Sequence, residues 1–370
     1  MSYRKIIEKS ENMRTDRLAK VLNELEQRRL EQMLITDPYS IFYLTGRMLD
    51  PGERFFALYI SRNGENAMVI NELFTVPEDL GVEKIWYADT EDGVAKIVKL
   101  IDHEKTLGVD KDLCAKFLLH MMELKAAKAY VNASICVDIV RALKDKEEIE
   151  AMREASRIND IAMNRFCDCI KEGITERLLA EQFESIYRDL GAEGNAFAPL
   201  VGFGKNAAVG HYAPKDEWLR PGDCVLLDVG CRKNYYCSDM TRTFFYDHVS
   251  KREEQIYEIV KKAQQQAENM IAPGIPLCDI DKAARQVIED AGYGKNFTHR
   301  LGHFIGTQVH EYGDVSSTAK GVAKEGMIFS IEPGIYLLGE LGIRIEDLVL
   351  VTKTGVEVLN HFSKELQIVY

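Results

Sequence analysis

Residues 224–246 read CVLLDVGCRKNYYCSDMTRTFFY. An apolar run from Cys224 to Leu227 closes on Asp228, and a later segment places Asp239, Thr241 and Thr243 on one strand face, because successive side chains of a strand point to opposite sides. The pattern predicts two strands of a buried sheet that carry carboxylates. A carboxylate facing a low-dielectric sheet needs a counter-charge, and a metal ion is one such counter-charge. Asp228 also reads as a capping or turn aspartate ahead of Gly230, and Asp239 as part of an ordinary polar face, so neither decides the matter alone.

The same tension recurs downstream. Glu332 ends the apolar segment Met327-Ile328-Phe329-Ser330-Ile331 and precedes Pro333-Gly334, while Arg344 and Glu346 share a face of Gly342-Ile343-Arg344-Ile345-Glu346. Strand-like segments are predicted at 224–228, 235–246, 327–331 and 343–352. Histidines gather beside them: His299, His303 and His310 lie in HRLGHFIGTQVHE, and His211 lies in AAVGHYAPKD. A single histidine of this kind is as readily a satisfied core or surface residue as a ligand. His248 is assigned to the surface.

Working outward, the 370 residues suggest two domains. Leu18, Val21, Leu22 and Leu25 recur at helical spacing, and Met33 to Thr36 reads as a strand closed by Asp37-Pro38. Apolar segments follow at Phe55 to Ile60 and Ala67 to Ile70, with helical stretches near 91–102 and 112–128. A last short strand is expected within Val131 to Leu143, after which Lys144 to Glu148 opens a long helix carrying Ile149, Met152, Ile158, Ile161 and Phe166. A second helix has Thr175 as its N-cap and Gly191 as its stop, and a third runs from about Glu253 to Ile271. The expected organisation is an α/β (α+β) protein, with a small N-terminal α/β domain over 1–135 and a larger domain over 136–370 that carries the chemistry.

A net charge of -12 and a pI near 5.3 argue against a nucleic-acid surface, which needs a positive footprint. The charged opening MSYRKIIEKSENMRTDR lacks the apolar core of a signal peptide, and no apolar run approaches the length of a membrane span. A cytoplasmic protein without a membrane partner is the expectation. The eight cysteines are read as reduced and mostly core, and Cys167-x-Cys169 has neither the spacing nor the second pair of a zinc ribbon.

Taken together, Asp228, Asp239, His303, Glu332 and Glu346, in the contexts LLDVG, SDMTRT, LGHFIG, IEPGIY and IRIEDLVLVT, resemble the metal-binding signature of the creatinase-type, or pita-bread, metallopeptidases. The likeness spans 140–370. Weaker resemblance in 1–135, including IFYLTG at 41–46, points to the Xaa-Pro dipeptidase (prolidase) and aminopeptidase P branch. The resemblance implies a creatinase-like N-terminal domain ahead of a pita-bread catalytic domain.

It further implies that Asp239 and Glu346 bridge two divalent ions, with Asp228 completing one site and His303 and Glu332 the other. A mostly oxygen ligand set with one imidazole suits hard or borderline ions; manganese (Mn2+) is the first choice, with Co2+, Zn2+ or Fe2+ also accommodated. A hydroxide bridging the ions would be the nucleophile and Glu332 the proton shuttle. His211 and His310 would bond the substrate or its oxyanion, His299 would line the pocket, and Arg344 would orient the bridging carboxylates. Substrates would be small peptides with proline second, and relatives suggest a homodimer.

Three departures from the family pattern stand out: Phe304 in place of a small residue, Tyr312-Gly313-Asp314 where a proline is usual, and Ala208-Val209-Gly210-His211 without its proline. The first two are expected to flank the substrate pocket. Aminopeptidase P, acting on longer Xaa-Pro peptides, is the alternative reading. A metal-free creatinase-like hydrolase and a non-catalytic binding protein abandon several ligands in this pattern, whereas all five are present in this chain.

Overall fold

The computed structural model describes residues 13–370; most of the charged opening stretch lies outside them. Contacts divide the chain between Arg141 and Ala142, and each unit has its own core.

The N-terminal unit comprises α1 (Thr15–Gln27), β1 (Gln32–Ile35), α2 (Pro38–Thr45), β2 (Ala57–Ser61), β3 (Ala67–Asn71), β4 (Glu83–Tyr87), α3 (Gly93–Val98), β5 (Thr106–Val109), α4 (Ala115–Glu123), β6 (Ala129–Asn132) and α5 (Ile135–Arg141). One mixed sheet runs β4-β3-β2-β1-β5-β6. Met33 and Ile35 face a core shared with α1 and α5, and Leu34 faces the one formed with α3 and α4. Both faces are therefore covered, which is why these strands read as continuous apolar runs rather than alternating ones.

Asp37-Pro38 closes β1 as expected and also starts α2, with the Asp37 carboxylate accepting from Tyr39 and Ser40 amides and proline at the first helical position, where its missing N–H costs nothing. One expectation needs correction in this unit. Only β6 is strand within 131–143. The following α5 buries Cys136, Val137 and Val140 in the N-terminal core, so the boundary lies after Arg141 rather than at 135.

The C-terminal unit comprises α6 (Lys146–Cys169), α7 (Glu176–Asp189), β7 (Gly194–Asn195), β8 (Leu200–Phe203), β9 (Cys224–Val229), β10 (Cys231–Lys233), β11 (Tyr236–Cys237), β12 (Met240–Tyr246), α8 (Lys251–Met270), α9 (Leu277–Asp290), β13 (Gly302–Phe304), β14 (Glu311–Val315), β15 (Ile328–Ile331), β16 (Gly334–Leu337), β17 (Leu341–Arg344), β18 (Asp347–Val351), β19 (Val356–Val358) and β20 (Ile368–Val369). Capping boxes Asp145/Glu148 and Ser250/Glu253 start α6 and α8. Helix α9 has no signal in the sequence reading, because its N-cap is Pro276 without a side-chain cap.

Sheets β20-β12-β9-β8 and β14-β13-β15-β18-β19 form the framework, with β16-β17 a separate hairpin. Val225, Leu227 and Val229 of β9 pack with Met240 and Phe244 of β12 against α6 and α7. On the opposite face, Cys224, Leu226 and Phe245 join the core built on α8 and α9. Strand parity thus turns Asp228 and Thr241 toward this second core. Of the α6 stripe, Ile161 faces outward, 38% exposed.

The predicted strand 343–352 is two strands in different sheets. Backbone pairing of β17 stops at Arg344 and that of β18 begins at Asp347. Glu346 occupies the break, its amide donating to the Thr241 carbonyl at 3.1 Å and its own carbonyl accepting from Arg242 at 2.6 Å.

Candidate metal centre

Four separate backbone segments deliver the acidic residues. Thr241 stands opposite Asp228 in the β9–β12 ladder; Asp239 immediately precedes β12, Glu332 follows β15, and Glu346 fills the β17–β18 break. His303 comes from β13. That strand lies so close to β15 that a Cβ on Gly302 would stand 1.8 Å from the Ser330 carbonyl oxygen, so only glycine permits the approach.

Ligand atoms of Asp239, His303 and Glu346 lie within 4.8 Å of one another and all three residues are buried. His303 Nδ1 faces the Phe304 carbonyl at 3.3 Å, which directs Nε2 at Asp239 Oδ2, 3.5 Å away, and at Glu332 Oε1, 3.6 Å away. These three atoms are acceptors facing one another. Asp239 Oδ1 is buried without a hydrogen-bond partner. Burial first, then repulsion from Asp228 and Glu332, pushes the Asp239 carboxyl well above the usual range; burial, then Asp239, does the same to Glu346. A cation among these atoms would satisfy the orphaned oxygen and offset the repulsion. The residues present therefore fit the divalent ions that the signature implies.

Arg344 ties the group together. Its Nη2 donates to Asp228 Oδ2 at 2.6 Å and its Nε to Thr241 Oγ1 at 3.0 Å, and Thr241 Oγ1 donates to Glu346 Oε2 at 2.7 Å. Its direct carboxylate contact is Asp228, and it reaches Glu346, one of the two carboxylates it is expected to orient, through Thr241. Arg344 Nη1 also donates to Tyr336 Oη at 3.0 Å, and Tyr336 Oη lies 2.8 Å from His299 Nε2. With His299 Nδ1 on the Arg300 carbonyl, both ring nitrogens are engaged, so His299 offers the pocket a ring surface rather than a hydrogen bond.

One cavity of about 630 Å³ collects Asp228, Asp239, His303, Glu332 and Glu346, together with His211, His299, His310 and Arg344. The His310 ring packs edge-on to His303 with centroids 4.2 Å apart. Burial, then the neighbouring His303 and Arg300, pushes its imidazole down to about 4, so it is neutral near pH 7 and can donate one hydrogen bond without bringing charge. His211 is exposed at the cavity edge. His248 is exposed as expected, bonded to Asp247.

Phe304 and Tyr312 are not part of this cavity. Phe304 is buried against Phe329, and a Cβ on Gly313 would lie 2.8 Å from its ring. The two departures compensate each other: the large side chain at 304 fills the space that the glycine at 313, at φ 113°, leaves open. Phe304 belongs to the core and Tyr312 is exposed on the surface, and of the segment from Phe304 to His310 only His303's neighbour His310 and Val309 reach the cavity. Missed by the sequence reading were Tyr336, which lies inside the quoted IEPGIY context, the role of Thr241, and Arg300, which lines the cavity and has no carboxylate within ion-pair distance among the described residues.

Comparison with known proteins adds independent observations. Metallopeptidase family M24 matches residues 150–353, and the creatinase/prolidase N-terminal domain matches 17–143. An uncharacterized peptidase of Staphylococcus aureus is 37% identical over 94% of this chain and 99% of its own length. A dipeptidase from Pyrococcus horikoshii OT3 superimposes with a TM-score of 0.90 at 35% identity, covering 95% of this chain and all of the other. A prolidase from Thermococcus sibiricus gives 0.89 at 31%, covering the whole of both chains. Among the described residues no helix is long and apolar enough to cross a membrane.

Proposed function

The chain belongs to metallopeptidase family M24 and is a metal-dependent peptidase, and from that premise we propose that it is an Xaa-Pro dipeptidase working with two divalent ions, manganese by first preference. The observation that carries this reading is the convergence of Asp239, His303 and Glu346 on one buried point, with Asp228 and Glu332 in the same cavity. Asp239 and Glu346 would hold both ions, Asp228 one, and His303 with Glu332 the other. Bound there, the ions would supply a hydroxide nucleophile near neutral pH and stabilise charge developing on the attacked carbonyl.

The protein's own groups do the rest. Glu332, steadied by Ser330 Oγ at 3.0 Å, passes a proton to the leaving amine. His310, neutral near pH 7, and His211 donate to the scissile carbonyl oxygen as it becomes anionic. Proline's tertiary amide has no N–H, so recognition rests on shape around the ring, to which His299 and Val309 contribute. Arg300, a cavity-lining cation without a carboxylate partner among the described residues, is suited to the free carboxylate of a dipeptide. A cytoplasmic homodimer completes the reading, by analogy with relatives, and light scattering checks the dimer.

A hydrolysis panel tests the function. Leu-Pro is expected to be cleaved well and Leu-Gly poorly, and Arg300→Ala to raise KM for Leu-Pro while leaving KM for its amide unchanged. Faster cleavage of Leu-Pro-Gly than of Leu-Pro would replace the dipeptidase by aminopeptidase P, and equal rates on Leu-Gly would remove proline selectivity.

A further inference from the structure

A buried carboxylate remote from the metal centre has no role in the reading above. Glu176 begins α7 and is fully buried. Its Oε1 accepts from the Phe203 amide at 2.8 Å and from Asn206 Nδ2 at 2.9 Å; its Oε2 accepts from Tyr212 Oη at 2.6 Å and from the Lys215 amide at 3.1 Å. No cation lies within 4.0 Å of it among the described residues. The charge is met by four neutral donors and by the helix N-terminus on which it sits.

All four donors belong to one segment, 203–215. Its 3-10 turn (Gly204–Ala208) is also wedged against β17, where a Cβ on Gly342 would stand 2.0 Å from the Ala207 carbonyl oxygen. Between the anchored Asn206 and Tyr212 only Val209, Gly210 and His211 are exposed, and of these His211 is the cavity-lining residue with a side chain able to hydrogen-bond. An exposed histidine on a free loop would lose a directed hydrogen bond to conformational entropy. Pinning both shoulders of the loop to one carboxylate removes most of that freedom.

We propose that Glu176 is a positioning residue for His211, acting by accepting four hydrogen bonds from the two sides of the loop that carries it. This rests on the role given to His211 above. Glutamine has the same shape but presents an NH2 group to two of the four donors, so Glu176→Gln opposes donor to donor and releases one shoulder.

The test is a double-mutant cycle on the metal-loaded full-length protein, with Leu-Pro as substrate. His211→Ala is expected to lower kcat about a hundredfold and Glu176→Gln about tenfold, each with full metal content. The double mutant should match His211→Ala alone within about twofold, because a positioning group has nothing left to position. Asn206→Ala, which removes one donor and does not line the cavity, should behave the same way on a smaller scale and replaces Glu176→Gln if that variant fails to fold. Equal losses from Glu176→Gln with and without His211 would overturn the proposal and leave the His211 role intact. Wild-type turnover in His211→Ala would overturn both.

Discussion

Arg344 Nη2 stands 2.6 Å from Asp228 Oδ2, and the same guanidinium reaches Glu346 through the Thr241 hydroxyl. One buried cation thus links a carboxylate on β9 to one in the break between β17 and β18. Burial works against the Arg344 charge, yet Tyr336 and Asp228 hold its pKa well above the ordinary value. Removing one partner of a buried pair costs about 3–5 kcal/mol, because the other charge is stranded. Arg344→Ala is therefore expected to lower both melting temperature and metal stoichiometry. Plasma mass spectrometry on freshly purified protein decides: full occupancy in the variant would show that Arg344 does not organise the ligands.

Asp239→Asn or Glu346→Gln should abolish turnover and reduce metal content, since in the proposed two-ion arrangement each would remove an anion that offsets the repulsion between the dications. The metal-free protein gives a second readout. A carboxyl whose folded pKa is raised binds its proton more tightly when folded, so stability declines as pH climbs from the unfolded value through the raised one. Chelator-treated Asp239→Asn should accordingly melt higher than chelator-treated wild type at pH 8. A lower melting point would mean that the carboxylates do not repel one another as their burial implies.

His310→Ala is expected to retain both metals and lose about 10²–10³ in kcat, the cost of one hydrogen-bond donor to a developing oxyanion. Loss of half the metal would make His310 a ligand instead.

Glu268, remote from the cavity, is pushed up to about 7 by burial and by Asp347. It bonds Gln264 and Lys364 at 2.8 Å each. The folded form keeps this proton while the unfolded form has released it above about pH 4.5. Stability should therefore fall as pH rises from about 4.5 to 7, and Glu268→Gln should flatten that slope. Melting curves at half-unit intervals compare the two, and parallel slopes would exclude Glu268 as the titrating group.

Phe304→Leu should cost about 1–3 kcal/mol in stability through the cavity left against Phe329 and Gly313. The ratio of kcat/KM on Leu-Pro to that on Leu-Gly should not change. A shifted ratio would return Phe304 to the substrate pocket, where the sequence reading had placed it.

The chemistry was legible in the sequence to an unusual degree. Asp228, Glu332 and Glu346 sit in or end apolar segments, where a carboxylate asks for a counter-charge, while Asp239 and His303 taken singly read as an ordinary polar face and a satisfied histidine; only the ordered set of five carried the resemblance. Helices α6 and α8 were equally readable, because their capping boxes and apolar stripes are written within one turn of each other. What depended on residues far apart in the chain was not. The Arg344–Asp228 pair spans 116 residues, so no window of sequence shows that this arginine grips Asp228 first. The end of β17 at Arg344 is set by a change of sheet partner, which the strand-like segment from Ile343 to Val351 does not announce. Phe304 and Gly313 read as two separate departures until packing brings ring and backbone together. Glu176 looks like an ordinary first-turn helix acid, and only the folded loop supplies the four donors that give it a task. The ordered set of sequence contexts determined which residues are the candidates for the chemistry; the tertiary structure decided which of them touch, because hydrogen-bond partners are chosen by distance in space and not by distance along the chain.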